Sequence, residues 1–105
     1  MLSEVLLAGV VAVAVLADVY DVTLTERGLK AGVAVESFDW LVGEKPTAKA
    51  LYLRDLGIIA VCSAPSLAMA LIGNPAGVYM FLSIPAVACV KHILGGRAWS
   101  KLLKK

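Results

Sequence analysis

An uncharged run of thirty-five residues, Leu56 to Val90, constrains the fold of this chain more than any other feature. The run contains no Asp, Glu, Lys or Arg, and Gly73-Asn74-Pro75 interrupts it near its middle. A helix needs about 20 apolar residues to cross the roughly 30 Å hydrocarbon layer of a membrane. Each half of the run is therefore long enough for one span if it gains a turn from its flank, and the interruption predicts a tight turn between two spans.

The composition favours lipid over water as the solvent of this chain. Apolar residues make up 60% of its 105 residues and the mean hydropathy is +0.85, whereas soluble domains have roughly 45–50% apolar residues. Unpaired backbone groups are too costly in lipid, and a closed barrel needs more strands than this length provides. We therefore predict an all-α integral membrane bundle of three transmembrane helices.

A second apolar run, Val5 to Ala17, opens the first predicted span. No Lys or Arg precedes it, which favours a retained span over a secretory signal peptide. The chain is predicted to be a single membrane domain, 1–105, with spans at about 2–24, 51–72 and 75–94, an interfacial loop at 33–50 and a basic tail at 95–105.

The ten basic residues predict how the chain is threaded. They fall in or next to the loop between the first and second spans and at or after the end of the third, and none precedes the first span or lies in the turn after Gly73. Because Lys and Arg concentrate in cytoplasmic loops, the N-terminus is predicted outside and the C-terminus in the cytoplasm of a multi-pass cell-membrane protein. This topology accounts for the net charge of +2, so nucleic acid is not expected as a partner.

Mixed apolar and basic segments predict contact with anionic lipid headgroups. Trp40 lies among charged and apolar loop residues, as an interfacial anchor would. Gly95-Gly96 is predicted to end the third span, so that Trp99 dips into lipid at the start of a basic amphipathic tail. The predicted membrane-interface residues are Trp40, Trp99, Arg97, Lys101, Lys104 and Lys105.

Two carboxylates, Asp18 and Asp21, lie where the first span reaches its inner boundary. At 3.6 residues per turn, they form one polar stripe with Thr25, Gly28, Gly32 and Glu36 if the helix continues past the membrane edge. Charge is costly in lipid, so the stripe should face the other spans, where His92 also arrives at the same depth. The predicted polar intramembrane cluster comprises Asp18, Asp21, Thr25, Arg54, Asp55 and Lys91.

Small residues indicate where helices can approach one another closely. The predicted packing residues are Gly28 and Gly32 on the first span and Gly57, Ala60, Ala64 and Ala68 on the second. Pro65 and Pro85 lie near the middle of the second and third spans, where each is expected to kink its helix to fit a curved bundle.

Signals for catalysis and metal binding are weak. Cys89 and His92 lie one turn apart, but the chain has no second histidine. There is no convincing Ser-His pair and no phosphate-binding glycine loop. We therefore expect no enzymatic activity, no metal and no cofactor.

The pattern Asp21-x-x-x-Thr25, followed by Gly32 and Glu36, resembles that of a family of short prokaryotic three-span membrane proteins. This family is classified as a domain of unknown function. In that family the Glu opens a Glu-x-Asn-Pro-like motif, whereas Ser37-Phe38-Asp39 follows it here. The resemblance implies a similar three-span fold and no established activity. In layout alone, the three spans and basic tail are also similar to class I phage holins, which oligomerise into membrane holes.

Three functional hypotheses follow. The first is a non-enzymatic structural or accessory subunit, present as a homo-oligomer or within a larger membrane complex, whose acidic stripe packs helices together. The alternatives are a holin-like or other phage membrane-permeabilising pore and a component of an ion or proton pathway. Asp21→Asn separates them, because it should impair assembly, alter leakage, or abolish transport in an intact assembly, respectively.

Overall fold

Four helices make up the computed structural model, which describes residues 2–32, 43 and 46–104. They are α1 (Leu2–Ala31), α2 (Ala48–Leu71), α3 (Pro75–Phe81) and α4 (Ser83–Lys104). The helix α1, the helix α2 and the α3–α4 segment are each long and apolar enough to cross a membrane. For these residues, the predicted all-helical fold with three candidate spans is confirmed.

The first two helices extend beyond the predicted boundaries of their spans. α1 ends at Ala31 instead of near residue 24, and Gly32 follows at φ 69°, the left-handed conformation that commonly ends a helix. α2 begins within the predicted loop, where the Thr47 hydroxyl accepts a hydrogen bond from the backbone N–H of Ala50 at 3.2 Å. Trp40 and Glu36 lie outside the described residues.

The predicted turn after the second span is built around Asn74. Gly73 adopts a φ of 73°, and the Asn74 side chain accepts a hydrogen bond from the backbone N–H of Gly77 at 3.0 Å. Pro75 occupies the first turn of α3, where its missing N–H needs no partner. These contacts cap α3 and return the chain against α2, where the Ser66 hydroxyl donates to the Val78 carbonyl at 2.9 Å.

Proline has different effects in the second and third candidate spans. Pro65 lies inside the unbroken helix α2. Pro85 is buried, and the third span divides just before it, because α3 ends at Phe81 and α4 begins at Ser83. A proline at 85 cannot donate a hydrogen bond to the carbonyl of Phe81, which explains why the helical ladder is interrupted there.

The helices α1 and α4 form the most extensive contact in the bundle, and glycines allow two aromatic rings into it. Tyr20 of α1 lies over Gly96, and Trp99 of α4 lies over Gly28, so that a Cβ at either glycine would overlap the facing ring.

The structure of α4 therefore differs from two predictions. α4 continues through Gly95-Gly96 to Lys104, and Trp99 is packed inside the bundle at 8% exposure instead of in lipid. Burial of this large ring favours helix over the predicted break.

Beyond this contact, part of the bundle interior is an apolar core, and the large exposed side chains of the outer surface are apolar as well. The core cluster comprises Ala14, Ile59, Ala88 and Cys89. Large side chains such as Leu16, Val61 and Leu71 point outward, each more than half exposed. An apolar surface of this extent is unsuited to water and suited to lipid.

Most of the predicted packing residues lie on the outside of the bundle. Gly28 is buried, but Gly32 is exposed beyond the end of α1. The small residues of α2 are likewise exposed, namely Gly57, Ala60, Ala64 and Ala68. A Cβ at Gly57 would meet no atom within 4 Å. This face of α2 is therefore open to lipid or to another chain.

Candidate functional site

Three carboxylates and the single histidine of the sequence meet between the candidate spans. Asp18 and Asp21 belong to α1, Asp55 to α2 and His92 to α4. One potential ligand atom from each residue lies within 4.8 Å of the corresponding atoms of the others. These four residues are called the polar cluster below.

Helical periodicity places each member of the polar cluster on a buried face. On α1 the buried residues Ala14, Asp18, Thr25 and Gly28 follow one another at steps that return to the same side. On α4 the buried residues Pro85, Ala88, Cys89, His92, Gly96 and Trp99 do the same. His92 therefore points inward, while its neighbour Lys91 is exposed.

Asp21 is held in position by contacts on both of its carboxylate oxygens. The His92 Nδ1 lies 2.9 Å from Asp21 Oδ2, and the Thr25 hydroxyl donates to Asp21 Oδ1 at 3.3 Å. Gly95 makes room for this carboxylate, since a Cβ there would lie 2.8 Å from Asp21 Oδ1. The arrangement links α1 to α4 through polar groups.

Asp55 forms a buried ion pair with the preceding residue. The Arg54 Nε donates to Asp55 Oδ1 at 2.9 Å, and the two side chains are 4% and 1% exposed. Burial removes both charges from water, so each depends on the other to offset its lost solvation. Asp55 thus brings a compensated negative charge to the centre of the bundle.

Asp18 differs from the other carboxylates because its oxygens lack hydrogen bonds. The residue is 0% exposed, and neither oxygen has a hydrogen-bond partner among the described residues. The His92 Nδ1 lies 3.5 Å from Asp18 Oδ1, close enough for an ion pair when the ring is protonated. A buried carboxylate without hydrogen bonds is unfavourable unless a positive charge or a proton is supplied to it.

The polar cluster lies at one end of the uncharged part of the bundle. All of the charged residues in the described helices except Glu4 lie at its level or beyond it toward Ala31 and Lys104. The uncharged stretch of α2 from Leu56 to Leu71 rises about 24 Å at 1.5 Å per residue. This is slightly less than the roughly 30 Å hydrocarbon layer, so a bundle that crosses such a layer would hold the cluster near one of its edges.

The structure brings together five of the six residues predicted for the intramembrane cluster: Asp18, Asp21, Thr25, Arg54 and Asp55. Lys91 is exposed at the edge of the cluster, where its charge acts on Asp18, and His92 is the buried member that the predicted set omitted. The sequence signal that identifies it is its spacing from Ala88, Gly96 and Trp99, which places it on the small-residue face of α4.

The predicted interfacial residues divide between the end of α4 and the undescribed part of the chain. Arg97, Lys101 and Lys104 are exposed on the last turns of α4. Lys105, like Trp40, lies outside the described residues. These basic side chains lie beyond the long uncharged stretch of the chain, so they interrupt no part of it.

Comparisons with protein families, curated proteins and solved structures found no match for this chain. The resemblance carried by Asp21, Thr25 and Gly32 therefore stays a prediction. The site must be interpreted from its own geometry.

Proposed function

We propose that this chain is a three-span integral membrane protein that acts as a non-enzymatic structural or accessory subunit, with the polar cluster fixing how its helices pack. The observation that carries the proposal is the burial of the cluster within one chain. Asp18, Asp55 and His92 are each at most 2% exposed, although they come from three different helices.

Polar contacts of this kind select one register of the helices. Lipid provides little hydrophobic drive for helix association, so close packing and interhelical hydrogen bonds determine which arrangement is stable. A shift of α4 along its axis by one helical turn would displace His92 by about 5.4 Å relative to Asp21. Both groups would then lose their partner. The cluster and the Gly28–Trp99 contact therefore favour the same alignment of α1 and α4.

Closure of the core argues for packing over conduction. Toward the Leu2 end, the core continues as Ala14, Ile59, Ala88 and Cys89. The buried polar groups among the described residues on that side are the hydroxyls of Ser3, Ser63 and Ser66, and the only charged residue of the described helices there is the exposed Glu4. Ionisable residues within the membrane mark ion and proton pathways, and no Asp, Glu, Lys, Arg or His of the described helices is buried on that side. We therefore place a structural role ahead of a holin-like pore and an ion or proton pathway.

The orientation follows from the basic residues. With the N-terminus outside and the C-terminus in the cytoplasm of the cell membrane, Arg97, Lys101 and Lys104 face anionic headgroups at the inner surface. The exposed small-residue face of α2, including Gly57 and Ala64, is suited to close contact with a second copy or with a larger membrane complex.

Expression in bacteria with a membrane-potential dye tests this proposal against its alternatives. Wild type and Asp18→Asn/Asp21→Asn are compared at equal amounts of inserted protein. We expect an unchanged potential for both and a loss of assembled protein for the variant, measured by size-exclusion chromatography in detergent. Depolarisation by wild type that the variant abolishes would contradict the structural role and favour a pore or an ion pathway.

A further inference from the structure

We infer that the polar cluster binds one divalent transition-metal ion through Asp18, Asp21, Asp55 and His92. This inference rests on the proposed packing of the three spans, since the four residues come from α1, α2 and α4. Their potential ligand atoms already lie within 4.8 Å of one another. Four ligands drawn from three helices thus converge closely enough for a single ion to be bound between them.

The missing hydrogen bonds of the Asp18 carboxylate point to a ligand independently of this clustering. Both of its oxygens are buried and have no hydrogen-bond partner among the described residues. Buried polar atoms in folded proteins are almost always satisfied, and an ion that occupies the site is one of the few ways to satisfy such a group. A cation between Asp18 and Asp55 would also remove the repulsion between two carboxylates in the interior.

The separation of His92 and Asp18 suits coordination better than direct hydrogen bonding. The distance from His92 Nδ1 to Asp18 Oδ1 is 3.5 Å. Two ligands bound at about 2.1 Å in a tetrahedral arrangement lie about 3.4 Å apart. The widest separation in the cluster, up to 4.8 Å, must contract by about 1.4 Å on binding, which side-chain movement of the carboxylates can supply.

Neighbouring groups orient the ligands as the outer shell of a metal site does. The Thr25 hydroxyl holds one oxygen of Asp21, and the Arg54 Nε holds one oxygen of Asp55. Outer partners of this type fix ligand orientation and tune affinity in metalloproteins. The side chain of Asp21 is 15% exposed, so it provides an access point at the edge of the site.

The donor set indicates the class of metal. Three carboxylates and one imidazole suit Mn²⁺, Fe²⁺ or Zn²⁺, whereas Ca²⁺ and Mg²⁺ prefer oxygen ligands alone. The thiol of Cys89 is directed elsewhere, because it donates to the Val10 carbonyl at 3.4 Å. Cys89 therefore does not join His92 as a ligand, and the proposed set is one histidine with three carboxylates.

Isothermal titration calorimetry of the full chain in lipid nanodiscs tests this inference, with ZnCl₂ and MnCl₂ as probes. The protein carries no histidine tag and is first stripped with a chelator. We expect one ion per chain for each probe, and much weaker binding of MgCl₂. Asp18→Asn should lower the Zn²⁺ affinity at least about tenfold, because it removes one charged ligand.

Glu26→Gln is the matched control for Asp18→Asn. Glu26 is a carboxylate on the same helix, but it pairs with Lys30 at 2.8 Å outside the cluster. We expect Glu26→Gln to bind Zn²⁺ as wild type does. Equal affinity of Asp18→Asn and Glu26→Gln, or the absence of Zn²⁺ and Mn²⁺ binding by folded wild type, would overturn the inference and leave a proton-sharing carboxylate cluster.

Gly95→Ala serves as a second variant should Asp18→Asn fail to fold. It removes no ligand, but the added Cβ would displace the Asp21 carboxylate, and we expect about a tenfold loss of Zn²⁺ affinity. Circular dichroism and size-exclusion chromatography without metal test the packing separately. A metal-free wild type that is unfolded or fails to assemble would contradict the proposed function. A well-folded wild type that binds no ion would contradict only the metal site.

Discussion

Replacing Arg54 by methionine is expected to lower the free energy of unfolding by about 3 kcal/mol, because the buried carboxylate of Asp55 then loses its charge partner. The side chain of Asp55 is 1% exposed, so water cannot take the place of the guanidinium. The measurement is reversible unfolding in mixed micelles with increasing SDS, without metal.

An exposed ion pair supplies the control for Arg54→Met. Lys30 pairs with Glu26 at the end of α1, and the two side chains are 76% and 40% exposed. Lys30→Met should change the unfolding free energy by no more than about 0.5 kcal/mol. Equal stability of the Arg54→Met and Lys30→Met proteins would show that the Arg54–Asp55 pair does not contribute to folding.

Gly28→Ala is expected to destabilise the protein by about 1–3 kcal/mol, because its Cβ would overlap the ring of Trp99. The ring is buried between α1 and α4 at 8% exposure and has little room to move. The added methyl group therefore forces the two helices apart or turns the ring out of the bundle. The same unfolding titration measures the loss, and Trp99 emission in a Trp40→Phe background should shift to the red.

Gly9→Ala is the matched control, since it makes the same substitution on the same helix. A Cβ at Gly9 would meet no atom within 4 Å. Alanine is also a better helix former than glycine, so we expect an unchanged or slightly higher stability. If Gly28→Ala is as stable as Gly9→Ala, the packing of α1 against α4 through Trp99 is wrong.

The number and approximate positions of the candidate spans could be predicted from where the charged residues lie. The uncharged stretch from Leu56 to Val90 and the earlier run from Val5 predicted three apolar helices, because lipid leaves few alternatives for the backbone. Helix ends were less predictable. α4 passes through Gly95-Gly96, because Asp21 and Tyr20 pack where glycine leaves space, and this benefit arises only after the helices meet.

The candidate site could be predicted in outline but not in its members. Periodicity on α1 placed Asp18, Asp21 and Thr25 on one face, as the structure has them. Depth along the third span suggested Lys91, whereas rotation of α4 about its axis brings His92 inward. Rotation is set by the burial of Gly96 and Trp99 against α1, and depth alone carries no information about it.

The expectation that the chain binds no metal was also based on residues that lie close together in the sequence. It was based on the pair Cys89 and His92, which lie one turn apart on a single helix. In the fold, Cys89 contacts the Val10 carbonyl and His92 contacts Asp21. The ligand set inferred here is contributed by residues far apart in sequence, so motif spacing cannot identify it.

The central claim is that polar contacts within the cluster hold α1 and α4 together, and a double-mutant cycle between Asp21 and His92 tests it most directly. Asp21→Asn, His92→Ala and the double variant are unfolded in mixed micelles after chelator treatment. Because His92 Nδ1 lies 2.9 Å from Asp21 Oδ2, we predict a coupling energy of about 1 kcal/mol. Additive effects of the two substitutions would contradict the account.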